Sequence, residues 1–263
     1  MTSGSGRLKA IPTSAHTSAA QASAASTPAV RVARTLAAVC FDVDFTLIYP
    51  GPTFQGDGYA RFCARHGIEV DPVRFPHAVR AASSILDIAQ DHVYDAGIFV
   101  RYTGRIIAEM GGAGPFVDAC AREIYEEWAA CRHFFLYDDV PPILRAIAAR
   151  GLKIGLISNS HRCLVSFQEH FELQGLITAA VSSSQHGYLK PHPSIFEATL
   201  TLLGVAPEEA VMVGDSLPHD IDGARRVGMR GILVHRSDDA APAADVPVIR
   251  SMTELPRLLD GGW

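Results

Sequence analysis

The chain has 263 residues, 48% hydrophobic and 19% charged, with a net charge of -5, an ordinary globular balance with room for one large domain or two smaller ones. It contains no Lys/Arg-rich run or basic stripe, which argues against nucleic acid as a partner. It also has no apolar run of the roughly 18 to 20 residues needed to cross a bilayer. Cys40, Cys63, Cys120, Cys131 and Cys163 are odd in number, well separated and without a CxxC pair, which predicts reduced thiols and a cytoplasmic location.

Residues 1–35 are rich in Ala, Ser and Thr, lack Asp and Glu, and carry Arg7, Lys9, Arg31 and Arg34 as their only full charges. Such a leader is expected to be disordered, and its composition also fits an organelle transit peptide. Leu36 to Phe41 then forms a continuous apolar run, expected as a strand buried on both faces, with a short buried helix as the alternative. Asp42 and Asp44 follow at its carboxyl end. That edge of an open α/β sheet is where ligands bind, and residues two apart project to the same side. Two like charges so close need a metal, a proton or a cation, unless they are simply solvated turn residues.

Ile48-Tyr49-Pro50-Gly51-Pro52 should break regular structure. The pattern then turns helical. Helices are expected over Gly58 to Arg65 and Pro72 to Gln90, followed by one carrying Ile98, Phe99, Tyr102, Ile106 and Met110 and one carrying Val117, Cys120, Ile124 and Trp128. Residues 51–135 thus read as a helical domain inserted into a core made of residues 36–50 and 136–263. Beyond Asp138, helix and strand alternate. Helices are expected at Pro141 to Arg150, Leu164 to Phe171, Pro193 to Leu203, Asp220 to Val227 and Glu254 to Leu259. Strands are expected at Leu152 to Ile157, Ile177 to Val181, Ala210 to Val213, Gly231 to Val234 and Val246 to Ile249. The fold class is α/β, a three-layer parallel sheet built from right-handed crossovers.

The polar residues that follow these strands share one edge: Asp42 and Asp44, then Ser158 and Asn159, then Lys190, then Gly214-Asp215. Each has an ordinary reading, since Ser158 could cap a helix, Lys190 could be a solvated loop lysine, and Gly214-Asp215-Ser216 could be a plain turn. Together they suit phosphoryl transfer, with carboxylates for Mg²⁺ and an ammonium to neutralise phosphoryl oxygens. His186, His192 and His219 lie nearby but match no zinc spacing and are expected as loop residues; Asp222 is expected on a helix surface.

Four segments resemble the haloacid dehalogenase-like (HAD) hydrolases, in particular their phosphatases with an inserted helical cap. They are Phe41-Asp42-Val43-Asp44-Phe45-Thr46-Leu47, Ile157-Ser158-Asn159-Ser160, Gly187 to Phe196 around Lys190-Pro191, and Val213 to Ala224 around Gly214-Asp215-Ser216. The resemblance implies a Rossmann-like core in which Asp42 is the nucleophile and Asp44 the acid and base. Mg²⁺ would be held by the Asp42 carboxylate, the Asp44 main-chain carbonyl and Asp215, with Asp220 behind it. Ser158, the Asn159 amide and Lys190 would bind the phosphoryl group, and Thr46 would orient the first loop. Phe45 departs from the family, which very often has Gly there. The implied partner is a small phosphate ester, turned over by a monomer or homodimer. A haloacid dehalogenase, a sugar phosphomutase and a non-catalytic scaffold of the same fold are the alternatives.

Overall fold

The apolar run forms β1 (Ala38–Phe41), and all four of its residues are fully buried. The computed structural model describes residues 35–261 except 89 and 238, and β1 lies in the middle of its six-stranded sheet. The chain continues through β2 (Ile48–Pro50), α1 (Gly56–Arg65), α2 (Phe75–Ala82), α3 (Ala96–Glu109), α4 (Val117–Trp128) and β3 (Phe134–Leu136). Next come α5 (Val140–Ala149), β4 (Lys153–Ser158), α6 (Leu164–His170), β5 (Ala179–Ser182), α7 (Ser183–His186) and α8 (Pro193–Leu203). Then follow β6 (Ala210–Gly214), α9 (Asp222–Arg226), β7 (Arg230–Val234), β8 (Val248–Ile249) and α10 (Leu255–Asp260).

The sheet order is β5-β4-β1-β6-β7-β8 and every pairing is parallel. Phe41 stands opposite Leu156 of β4 and Val213 of β6, so these strands end level with one another. Alternation along β1 sends Val39 and Phe41 to one face, where they join Leu144 and Ile147 of α5 and Phe167 of α6. Ala38 and Cys40 go to the other face, with Phe196 and Leu200 of α8 and Ala224 of α9. Helices therefore cover both faces, which is why the strands read as uninterrupted apolar runs rather than alternating ones. This is the Rossmann-like three-layer α/β fold.

The helical insertion α1 to α4 packs around Tyr59, Phe62, Ile106, Met110 and Ile124, in a cluster continuous with the first sheet face through Phe54 and Phe134. Three local expectations differ from what forms. Ile48–Pro50 does not simply break the chain; it pairs antiparallel with Phe134–Leu136, and Pro50 sits at the end of that ribbon, opposite Phe134. The helix expected over Pro72 to Gln90 is α-helical only from Phe75 to Ala82, between 3₁₀ turns at Pro72–Arg74 and Ser83–Ile88. Ser83 Oγ donates to the carbonyl of Arg80 at 2.9 Å, a local bond that competes with helix continuation. The helix expected from Asp220 is preceded by a π-helical turn, Leu217–Ile221. The expectation for residues 1–35 lies outside the described residues except at Thr35.

Candidate active site

Asp42 continues the strand geometry one step past β1, because its N–H donates to Val213 of β6 at 2.9 Å. The chain then turns sharply. Phe45 takes the left-handed conformation at φ 64°, and the N–H groups of Leu47 and Ile48 both donate to the carbonyl of Val43, at 2.9 and 3.1 Å. This tight loop presents Asp42 and Asp44 to a cavity of about 640 Å³, which Asn159, Lys190, Asp215 and Asp220 also line. Four separate sheet-edge segments thus meet at one place, as their order in the sequence predicts.

Lys190 is the hub. Its buried ammonium donates to Asp42 Oδ1 at 2.6 Å, Asp220 Oδ1 at 2.7 Å and the carbonyl of Ile157 at 2.8 Å, which uses all three of its N–H bonds. Asn159 fixes the loop that delivers it. Its Oδ1 accepts from the Lys190 N–H at 2.7 Å and its Nδ2 donates to the Lys190 carbonyl at 3.0 Å. The Asn159 side chain is therefore committed to that loop, and any contact it makes with a phosphoryl group comes through its main chain. Asp220 Oδ2 accepts from the Ser216 N–H at 3.0 Å. Gly214 has no room for a side chain, since a Cβ there would stand 2.3 Å from Asp220 Oδ2.

Ser158 is fully buried, and its Oγ lies 2.8 Å from Ser160 Oγ; of the two, Ser160 lines the cavity. Thr46 is also fully buried and extends a long hydrogen bond, 3.5 Å, to Asp215 Oδ1, so it orients that carboxylate rather than facing the cavity. His186 and His192 both bond Ser194 Oγ at 2.7 Å at the start of α8, where His192 also caps the helix. His219 lines the cavity and its Nδ1 lies 2.9 Å from Ser216 Oγ. Asp222 begins α9 and is not among the residues lining the cavity.

Burial pushes the Asp42 carboxyl up to about 6, assisted by the Asp220 charge and opposed by Lys190. Its Oδ2 is buried without a hydrogen-bond partner, an uncompensated oxygen that calls for a ligand. Oxygens of Asp42, Asp215 and Asp220 lie within 4.8 Å of one another. Asp215 is reached by solvent, yet the surrounding protein and then the charges of Asp42 and Asp220 hold its carboxyl well above the usual range. An all-carboxylate set with an orphan oxygen and crowded negative charge fits a hard divalent cation such as Mg²⁺.

The structure also assigns a partner to Asp44 that sequence reasoning missed. Arg162 is buried, and its Nη1 lies 3.0 Å from both Asp44 oxygens, while its Nη2 donates to the carbonyl of Trp128 at 2.9 Å. The guanidinium stacks over the Phe134 ring at 4.4 Å. The only hint in sequence is an arginine placed just after the Ser158-Asn159-Ser160 segment. Burial holds the Asp44 carboxyl above its ordinary value although the Arg162 charge pulls it down. The two carboxylates of one loop thus sit in different surroundings, Asp42 against an ammonium and Asp44 against a guanidinium.

A family profile described as haloacid dehalogenase-like hydrolase matches residues 36–228. Haloacid dehalogenase-like hydrolase domain-containing protein 3 of Danio rerio is 28% identical over 233 residues, spanning 84% of this chain and 95% of that protein. Glyceraldehyde 3-phosphate phosphatase of Methanopyrus kandleri is 29% identical over 231 residues, spanning 85% of this chain and 95% of that protein. Among solved structures, a HAD phosphatase from Thermococcus onnurineus superposes with a TM-score of 0.60 at 25% identity, covering 86% of this chain and 99% of that one.

Proposed function

The chain belongs to the haloacid dehalogenase-like hydrolases, and from that membership we propose that it is a Mg²⁺-dependent phosphatase acting on a small organic phosphomonoester through an aspartyl-phosphate. One observation carries the reading: two carboxylates of a single loop are held apart in role. Asp42 lies against the Lys190 ammonium at 2.6 Å, and Asp44 lies 3.0 Å from the Arg162 guanidinium. A carboxylate nucleophile beside a separately held acid is what cleaving an ester of a poor leaving group requires.

In the first step an Asp42 oxygen bonds to phosphorus as the ester P–O bond breaks, and the departing alkoxide takes the proton of Asp44. In the second, Asp44 removes a proton from water, which attacks phosphorus, releases inorganic phosphate and restores the Asp42 carboxylate. Lys190 keeps Asp42 aligned and offsets the charge of the transferring group. The Asn159 main chain and Ser160, which line the cavity just past β4, support the phosphoryl oxygens, with Ser158 buried behind them against Ser160 Oγ. Asp42, Asp215 and the Asp44 carbonyl, with Asp220 behind them, would hold Mg²⁺, which would supply further neutralisation of phosphoryl charge. Helices α1 to α4 act as a cap, because Tyr59, Phe99, Tyr102, Tyr125 and Trp128 line the same cavity as the carboxylates. Covering the site in this way excludes bulk water.

A dehalogenase would have no use for a held acid at Asp44, because halide departs without a proton. The test is phosphate release from a panel of phosphate esters with Mg²⁺ and with EDTA, run beside chloride release from 2-chloropropionate. Metal-dependent phosphate release is expected. Chloride release without phosphatase activity would overturn the reading in favour of a dehalogenase, transfer to an added sugar phosphate in favour of a mutase, and no turnover of any ester in favour of a scaffold.

A further inference from the structure

The cavity is charged at one end only. Where it meets the sheet it is lined by Asp42, Asp44, Asp215, Asp220 and Lys190, with Arg226 contributed from α9. On the side of the insertion, no described residue lining it is Asp, Glu, Lys or Arg. That wall includes Ile98, Phe99, Tyr102, Ile124, Tyr125 and Trp128, and its polar side-chain groups are uncharged hydroxyls of tyrosines and Thr103, the Trp128 indole and the His92 imidazole. The aromatic rings form a rail. Phe99 stacks on Tyr125 at 5.9 Å and 19°, and Tyr125 stacks on His161 at 4.0 Å and 26°, carrying the ring surface from α3 across to the loop after β4. Tyr125 is fixed in that position by a hydroxyl-to-hydroxyl bond with Tyr94. Trp128 of the same wall lies 6.4 Å from Phe45, so the loop after β1 itself adds a ring to the passage.

A cavity of about 640 Å³ is larger than a two- or three-carbon phosphate needs and falls in the range of sites for ring-sized organic ligands. A carboxylate or second phosphate placed against this wall would lose its water without gaining a cation, whereas an apolar ring would gain the stacking rail. We propose that the substrate is the phosphate monoester of an uncharged alcohol carrying an aromatic or alicyclic ring, with the ring held against the wall of Phe99, Tyr102, Tyr125 and Trp128 beside Phe45. This rests on the phosphomonoesterase reading and narrows it, setting aside carboxylated esters such as phosphoglycolate.

The experiment compares kcat/KM for 2-phenylethyl phosphate and cyclohexylmethyl phosphate with that for phosphoglycolate and phosphoserine, all esters of primary alcohols, at saturating Mg²⁺. The ring esters are expected to be favoured by about 10²-fold or more, the scale of discrimination an apolar pocket supplies. Phe99→Ala should remove most of that preference by raising KM for the ring esters more than it lowers kcat. Equal or faster hydrolysis of the carboxylated esters would overturn the proposal while leaving the phosphatase reading intact. No turnover of any ester would overturn the phosphomonoesterase reading and the proposal with it, whereas phosphatase activity without the ring preference overturns the proposal alone; calorimetry should show 2-phenylethylphosphonate binding tighter than phosphonoacetate, and the reverse order would overturn the proposal.

Discussion

Arg162 meets Asp44 side-on, with Nη1 3.0 Å from each carboxylate oxygen, although the two residues are 118 positions apart in the chain. The guanidinium is fully buried and its second nitrogen holds the Trp128 carbonyl at the end of α4. One side chain therefore meets both the Asp44 carboxylate and the end of the last insertion helix. Arg162→Ala is expected to lower kcat on alkyl phosphates by about 10²-fold with a smaller change in KM, since a displaced acid costs on that scale. Arg162→Lys restores charge without the planar fork and should recover only part of the loss. A wild-type kcat in a correctly folded Arg162→Ala protein would remove Arg162 from any positioning role.

Replacing the two loop carboxylates should produce unlike defects. Asp42→Asn deletes the nucleophile and is expected to reduce turnover to background with no phosphoenzyme. Asp44→Asn leaves the nucleophile in place and removes proton transfer, worth about 10²- to 10⁴-fold. With p-nitrophenyl phosphate, whose leaving group departs unprotonated, Asp44→Asn should show a burst of nitrophenolate and a phosphorylated Asp42. Rapid quench and peptide mass spectrometry read both; a burst in Asp42→Asn would invert the assignment.

Binding of Mg²⁺ to the Asp42, Asp215 and Asp220 cluster should stabilise the folded chain by mass action, by about 2.7 kcal/mol at one hundred times the dissociation constant. The Tm is expected to rise with added Mg²⁺ in the wild-type protein and to stay flat in Asp215→Asn. An equal rise in both proteins would place the cation elsewhere.

Asp139 anchors the catalytic loop from outside the site. It bonds Arg236 twice at 3.1 Å, and Arg236 in turn donates to the Thr46 carbonyl at 3.2 and 3.0 Å. Burial alone would raise the Asp139 carboxyl, but the bonds from Arg236, Ser251 and the Met252 N–H outweigh it and hold the group below its ordinary 3.8. A carboxyl depressed in the folded chain adds stability that is complete above the ordinary value and is lost as pH falls below it. Asp139→Asn should therefore cost about 2 kcal/mol near neutral pH, and the gap should close below pH 3.8. Denaturation of both proteins across pH measures this, and a gap that does not change with pH would refute it.

Much of the core was legible because continuous apolar runs have few places to go other than a doubly covered sheet. The run from Leu36 to Phe41 gave β1, and the residues after β1, β4 and β6 fell on one edge because the parallel register leaves those strands level. Side-chain pairing was less legible. Nothing local distinguishes an Asn159 that clamps a lysine loop from one that grips a phosphoryl group, and Arg162 is joined to Asp44 only by the crossover that brings β4 beside β1. Short elements were also missed. The β2–β3 ribbon depends on a partner more than eighty residues away, and the π turn at Leu217–Ile221 is not marked by any periodicity.

The β2–β3 ribbon has a consequence for how the insertion is tied to the core. Because Pro50 stands directly opposite Phe134, the chain leaves the core and returns to it at nearly one point, and everything between is a closed excursion. Asp42 and Asp215 take their places from the register of β1 and β6, whereas Lys190 follows a residue whose N–H donates to the His92 carbonyl of the excursion at 2.7 Å. The excursion is thus tied back at its base by a three-residue ribbon, at the end of its last helix by Arg162, and along its middle by the main-chain bonds Tyr94 to Gly187 and Leu189 to His92, so a change inside it is felt at the loop that carries Lys190.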